Sequence, residues 1–205
     1  YRRNGKPVEL LLLQNHGLFL AADSVEELED MLERVLALLD EKLQRKPDMR
    51  PVDIAAERIR EVTQAITNCF EGKVVCVHEN NREAVKFSAN RLTVQPLMKP
   101  FTPDHIVYCK AYPLYAQSLS ELPGAVAAYR AQHGHSPKIW IITDCGFFAV
   151  DETQKAAETA RVLFNDAIKI AVYTESFGGP LPMTEELTDF IVHWEVEAYR
   201  SRQNG

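Results

Sequence analysis

The sequence predicts an α/β fold in which a mixed or antiparallel sheet carries packed helices. Three observations lead there. Short apolar runs come in pairs around an x-Gly turn, at residues 8–22 and 139–150. Each pair leads into a stretch with a capping pattern and apolar residues at helical spacing. The two stretches echo one another at a constant offset of 129 positions, His16 falling on Cys145.

The elements follow in chain order. Residues 8–13 are apolar apart from Glu9, and residues 18–22 are apolar again after Gln14-Asn15-His16-Gly17. This reads as two strands and a tight turn, with Gly17 free to take positive φ. Leu10 to Leu13 shows no alternation, which predicts burial on both faces. Ser24 with Glu27 three residues on is a capping box. Leu28, Met31, Leu32, Val35, Leu38 and Leu39 then predict a helix to about Lys46, stopped by Pro47. Pro51 opens a second helix carrying Ile54, Ile59, Val62, Ile66 and Phe70, and Gly72 ends it. Both helices are expected to pack on the 8–22 hairpin.

Residues 73–78 predict a strand, and residues 80–90 leave a short helix open. Leu92-Thr93-Val94 and residues 106–109 read as strands, with Pro96 and Pro100 marking a loop between them. Pro123 opens a helix to His133, with Gly134 just past its end. Residues 139–143 and 147–150 form a strand pair around Asp144-Cys145-Gly146. Asp151 and Gln154 repeat the capping logic before a helix to about Tyr173. Gly178-Gly179-Pro180 is a linker, and Thr184 caps a last helix ending near Arg202.

Composition narrows the function classes. The chain has 205 residues, 46% hydrophobic and 25% charged, so it is neither disordered, collagen-like nor a disulfide scaffold. Twenty-three basic against 29 acidic residues give a net charge of −6, and no long Lys/Arg run appears. Nucleic acid is therefore not an expected partner. No apolar run approaches the ~20 residues of a membrane span, and no signal-peptide pattern is present. Cys69, Cys76, Cys109 and Cys145 are scattered, which reads as reduced, cytoplasmic thiols. Tyr1 is not an initiator methionine, and the chain reads as a piece cut from a longer protein.

The echo lays Leu-Gln-Asn-His-Gly-Leu-Phe-Leu-Ala (residues 13–21) on Ile-Thr-Asp-Cys-Gly-Phe-Phe-Ala-Val (residues 142–150). Gly17 meets Gly146, and Phe19 meets Phe148. Identities are few, but the order of elements is shared, which favours duplication over chance. Residues 1–70 are then the C-terminal part of one lobe, and residues 71–205 a second lobe.

Leu-Leu-Leu-Gln-Asn-His-Gly-Leu-Phe (residues 11–19) with its capped helix resembles the late metal-ligand motif of the class II aldolase/adducin family. Lys-Pro-Phe-Thr-Pro-Asp-His-Ile-Val (residues 99–107) is similar to an early segment of that fold. Within the family, the chain resembles the aldolase half of bifunctional rhamnulose-phosphate aldolase/short-chain dehydrogenase proteins. The resemblance implies retro-aldol cleavage of a ketose phosphate. In that chemistry three histidines hold Zn²⁺ as a Lewis acid and a glutamate handles the proton. His16 matches the third histidine. The family's His-x-His pair and glutamate lie upstream of Asn-His-Gly, in a stretch this sequence does not contain. The second lobe has Cys145 for that histidine and only 40 residues from Asp104 to Thr143. It resembles a degenerate, non-catalytic copy. Such a copy would complete the sheet, support a homo-oligomer or position the dehydrogenase half.

Other candidates have plainer readings beside the functional one. His16 itself is either a turn histidine bonded to a carbonyl or, as the resemblance implies, a ligand in the intact parent. His133-Gly134-His135 is a literal His-x-His, but it also fits a helix end with a left-handed glycine cap. His78-Glu79, Asp104-His105, and His193 with Glu195 and Glu197 read as surface or satisfied structural groups. Cys145 beside Asp144 gains no activation from that neighbour and reads as a small buried side chain. Asp53, Glu57 and Glu61 form a solvated face, and Trp140 and Trp194 are core or interface anchors. No G-x-G-x-x-G, P-loop, G-x-S-x-G or Tyr-x-x-x-Lys occurs, so no dehydrogenase half is present.

Overall fold

The computed structural model describes residues 2–3 and 6–194. Of the residues singled out above, Tyr1, Glu195 and Glu197 lie outside them, as does the last helix beyond residue 194. The architecture is mixed α/β. Strands β1 (Arg2–Arg3) and β2 (Lys6–Pro7) form a minimal antiparallel pair. Strands β3 (Leu10–Leu13) and β4 (Gly17–Leu20) form an antiparallel hairpin in which Leu13 faces Gly17 and Leu10 faces Leu20. Helix α1 (Val25–Asp40) follows. The Ser24 side chain accepts from Glu27 N at 3.2 Å, as the capping box predicts.

Helix α2 is Ala56–Thr67, and strand β5 is Val75–Glu79. Helix α3 (Arg82–Ser88) fills the open stretch at 80–90, capped by Asn81 accepting from Ala84 N. Helix α4 (Pro103–Cys109) precedes strand β6 (Leu114–Ala116) and helix α5 (Leu122–His133). Strands β7 (Ile139–Ile142) and β8 (Gly146–Asp151) lead into helix α6 (Gln154–Thr174), and helix α7 (Glu185–His193) closes the described chain.

The main sheet has four strands in the order β5-β8-β7-β6. The β6/β7 pair is parallel and the other two are antiparallel, so the sheet is mixed. Strands β7 and β8 are apolar at nearly every position because both faces are covered. Ile139, Ile141, Phe147 and Ala149 pack with Phe87 of α3, Cys109 of α4 and Phe164 and Ile168 of α6. Trp140, Ile142, Phe148 and Val150 pack on the other face with Val62 and Ile66 of α2 and Val126 and Tyr129 of α5. Trp140 is fully buried and its indole N–H donates to Pro137 O at 2.9 Å.

Several expectations are corrected. Helix α2 packs on the four-stranded sheet and not on the first hairpin, because its stripe of Ile59, Val62 and Ile66 meets Trp140 and Phe148. It starts at Ala56, and Pro51 instead bridges to Asn81. Residues 106–109 are helical: Thr102 caps and Pro103 sits at the first turn, so the apolar run Ile106-Val107 belongs to α4. Residues 92–94 form a turn leading into a 3₁₀ helix at Gln95–Leu97, held by Asn90 Oδ1 accepting from Leu92 N and Thr93 N. Helix α6 is capped by Thr153, not Asp151. Leu10 to Leu13 are exposed, with Leu12 at 70%, because among the described residues β3 pairs with β4 alone, in a sheet of two strands.

The connection from α1 to α2 straps the first part of the chain to the second. Arg45 pairs with Glu83 at 2.5 Å and with Glu175 at 2.7 Å. Gln44 N donates to Ser176 Oγ at 2.9 Å, and Val52 N to Asn80 O at 2.9 Å. Glu83 is buried, and its other contact through Oε1 is Asp48 N. Replacing Arg45 leaves a buried carboxylate without its cation. Arg45→Ala is expected to lower unfolding free energy by about 2 kcal/mol. Glu83→Gln in the same background should restore part of that loss. Urea denaturation of the three proteins checks both.

Candidate functional site

The hairpin tip carries His16, which the resemblance would make a metal ligand and the plainer reading a turn histidine. Asn15 takes the left-handed turn position at φ 56°, and His16 N donates to Leu13 O at 3.2 Å. The imidazole of His16 is exposed and lies nearly parallel to the Phe19 ring, 11° off, with centroids 6.1 Å apart. Asn15 fastens the tip to the second half of the chain. Its Nδ2 donates to Phe101 O at 3.1 Å and to Leu181 O at 2.9 Å. Its Oδ1 is buried without a partner. Met183 N donates to Pro100 O at 2.8 Å, so the two loops that receive Asn15 are tied together.

His105 sits behind this contact. It is buried, and its Nδ1 accepts from Phe101 N at 3.3 Å. Burial holds its pKa down to about 4, with Asp166 and Asp104 opposing. It is a neutral structural acceptor, in line with the plainer reading of Asp104-His105.

The turn at residues 142–146, on which the sequence echo lays residues 13–17, is sealed. Asp144 has φ 58° and Cys145 N donates to Ile142 O at 2.9 Å, matching Asn15 and His16. Cys145 is 2% exposed. His78 Nε2 donates to the Cys145 carbonyl at 2.7 Å, and its ring stacks on Phe148 at 4.4 Å. Burial lowers the His78 pKa, against the pull of that carbonyl and of Glu79, so the ring is neutral near pH 7. Gly146 is required there: a Cβ would lie 2.2 Å from Glu79 O.

Glu79, read in sequence as an isolated polar group, is the hub of a network. Its Oε2 accepts from Arg161 Nη1 and Asn165 Nδ2, both at 2.6 Å, and Asn165 Oδ1 accepts from Asn81 Nδ2 at 2.8 Å. Burial pushes the Glu79 carboxyl up, but the bonds from Asn165 and Arg161 outweigh it, so its pKa lies below the ordinary value. These bonds tie β5, α3 and α6 together. Nothing in the local sequence marks the network, because its bonds join residues 79–81 to residues 161–165, more than 80 positions away.

The remaining candidates take structural roles. Gly134 has φ 72° and caps α5, while His133 stacks on Tyr112 at 5.0 Å and His135 Nδ1 contacts Ser136 O. His193 is exposed and bonds the Asp189 carbonyl. Asp53, Glu57 and Glu61 are exposed. Trp194 is 41% exposed beside Phe190. All four cysteines are free thiols, and burial raises Cys76 to about 12. Among the described residues no group of three or more His, Cys, Asp or Glu could hold a metal ion, so His16 stands as a single imidazole. A cleft of about 1070 Å³ lies between α5 and α7 and is lined by Arg91, Tyr112, Tyr115, Tyr129 and Glu185 among others, not by His16. No described helix is long and apolar enough to cross a membrane.

His105 gives a pH dependence. Its folded pKa lies below the ordinary 6.5, so the unfolded chain binds the extra proton between those values. Its neutral burial favours folding fully above about pH 6.5, and that contribution falls as pH drops toward 4, by about 3 kcal/mol at most. His105→Asn, which keeps an acceptor without a titrating ring, should flatten this part of the stability profile measured by urea unfolding at each pH. No protein-family profile matches the chain, and no curated protein matches it.

Proposed function

We propose that this chain is the C-terminal portion of a class II, zinc-dependent sugar-phosphate aldolase resembling rhamnulose-phosphate aldolase. Residues 1–70 supply the end of the catalytic lobe, and residues 71–205 are a copy that has lost the chemistry. The single observation that carries this reading is the contrast between two turns of matching register. His16 presents a free imidazole on a hairpin tip fastened by Asn15, whereas Cys145 is buried behind His78. A strand–turn–helix setting for Asn-His-Gly is what the family resemblance requires.

The residues present do not make a zinc site by themselves. An open catalytic zinc needs about three protein ligands, and one imidazole does not confer tight binding. On this reading the remaining ligands and the proton-handling glutamate come from the rest of the parent protein. The substrate there is a ketose phosphate, cleaved by a retro-aldol reaction, and the chain alone is inactive. Cytoplasmic location fits the free thiols.

A second reading concerns residues 71–205: a non-catalytic aldolase-like module that supports a homo-oligomer or positions a fused dehydrogenase. The burial of Cys145 at the position of the ligand histidine favours it.

Zinc titration tests the proposal. This chain and His16→Ala should both bind Zn²⁺ weakly. The intact parent should bind it stoichiometrically and lose both metal and aldol cleavage on His16→Ala. Stoichiometric zinc on residues 1–205 abolished by His16→Ala, or a metal-replete parent indifferent to His16, would overturn it.

A further inference from the structure

The two hairpins are the same object in different surroundings. The offset that relates them in sequence relates them in register: Leu13 faces Gly17 as Ile142 faces Gly146, and Leu10 faces Leu20 as Ile139 faces Ala149. Ala21 N donates to Glu9 O as Val150 N donates to Lys138 O. Ser24 caps α1 as Thr153 caps α6.

Their burial is opposite. Ile139, Trp140, Ile141 and Ile142 are 1%, 0%, 1% and 0% exposed, whereas Leu10, Leu11, Leu12 and Leu13 are 39%, 48%, 70% and 41% exposed. Phe148 is sealed and Phe19 is half open. The buried stripe of α6, Ala157, Ala160, Phe164, Ala167 and Ile168, falls on Leu28, Met31, Val35, Leu38 and Leu39, apolar at each position, yet α1 buries none of its residues completely. Gly146 is pressed by the Glu79 carbonyl, while nothing lies within 4 Å of a Cβ at Gly17. The first copy has the surface of a covered hairpin and lacks the cover.

The second copy shows what the cover is. Strand β5 runs antiparallel beside β8, strand β6 runs parallel beside β7, and helices close both faces. All of it except α6 precedes β7 in the chain. We infer that the β3–β4 hairpin is the central pair of a second four-stranded sheet, completed by polypeptide N-terminal to it in the order helix, strand, helices, strand, helix. One strand of that segment pairs antiparallel with β4 and passes over Gly17, and the other pairs parallel with β3. An apolar strand pair with both edges free and its apolar side chains largely bare is otherwise an aggregation site. The inference stands on the repeat and its burial, not on the zinc chemistry.

Hydrogen exchange in the intact parent tests it. Amides of residues 10–20 should exchange at least about 100-fold more slowly than unstructured peptide, comparably to residues 139–150 in the same molecule. That protection should be independent of protein concentration and survive removal of metal by a chelator. Leu12→Glu, harmless at an exposed site, should abolish protection of residues 10–20 and leave residues 139–150 unchanged. Loop-like exchange at residues 10–20 in the parent would overturn the inference. So would protection that vanishes on dilution, which would make a second copy the cover, or a parent gene that opens at residue 1. Protection retained in a parent that binds no zinc would sink the aldolase reading and leave this one standing.

Discussion

The constraint on which the rest depends is the covering of a strand pair that is apolar on both faces. Such a pair is stable only inside a sheet with helices on either side. β7 and β8 meet that condition, and the two main core clusters of the described chain form on their faces. Helices α3, α4 and α6 take one face, and α2 and α5 the other. The turn that joins the strands then needs a left-handed Asp144 and a glycine at 146, since the Glu79 backbone runs directly over that glycine. The polar groups trapped under this cover find one another in the Glu79–Arg161–Asn165–Asn81 network, so burial of the strands also dictates where charge is neutralised.

The first hairpin repeats the strand pair and the turn without the cover. What it has instead is attachment at two points: Asn15 against the carbonyls of Phe101 and Leu181, and Arg45 between Glu83 and Glu175. These polar contacts orient the tip that bears His16, while the apolar faces stay available. One hairpin thus offers an imidazole on a fixed tip; the other holds a thiol that no solvent reaches. The two hairpins differ in what surrounds a similar turn.

Much of the fold was legible because local chemistry decided it. The x-Gly hairpins, the Ser24 cap and the Gly134 helix end each depend on residues within a few positions of one another. The 129-residue echo was legible for the same reason, as it repeats a local pattern. Failures came where the outcome depends on distant partners. Ile106-Val107 has the look of a strand, but Thr102 and Pro103 start a helix whose apolar side meets α6 and α7. β6 is three residues long and carries no alternation to see. Helix α2 lies next to the first hairpin in sequence, yet its stripe fits the Trp140 face of the other sheet. Of the candidate site, the sequence reading proposed His16 and gave His133 and His135 a helix-end role, but neither the anchoring of Asn15 nor the hub at Glu79 leaves a trace in local spacing.

A structure of the longer protein proposed to contain this chain tests the central claim most directly, through the surroundings of residues 10–20. The account predicts a four-stranded sheet with β3 and β4 at its centre, a parallel neighbour on β3, an antiparallel neighbour on β4, and Leu12 as buried as Ile141. A hairpin left bare, or covered by another copy of this chain or by strands in a different order, would contradict it.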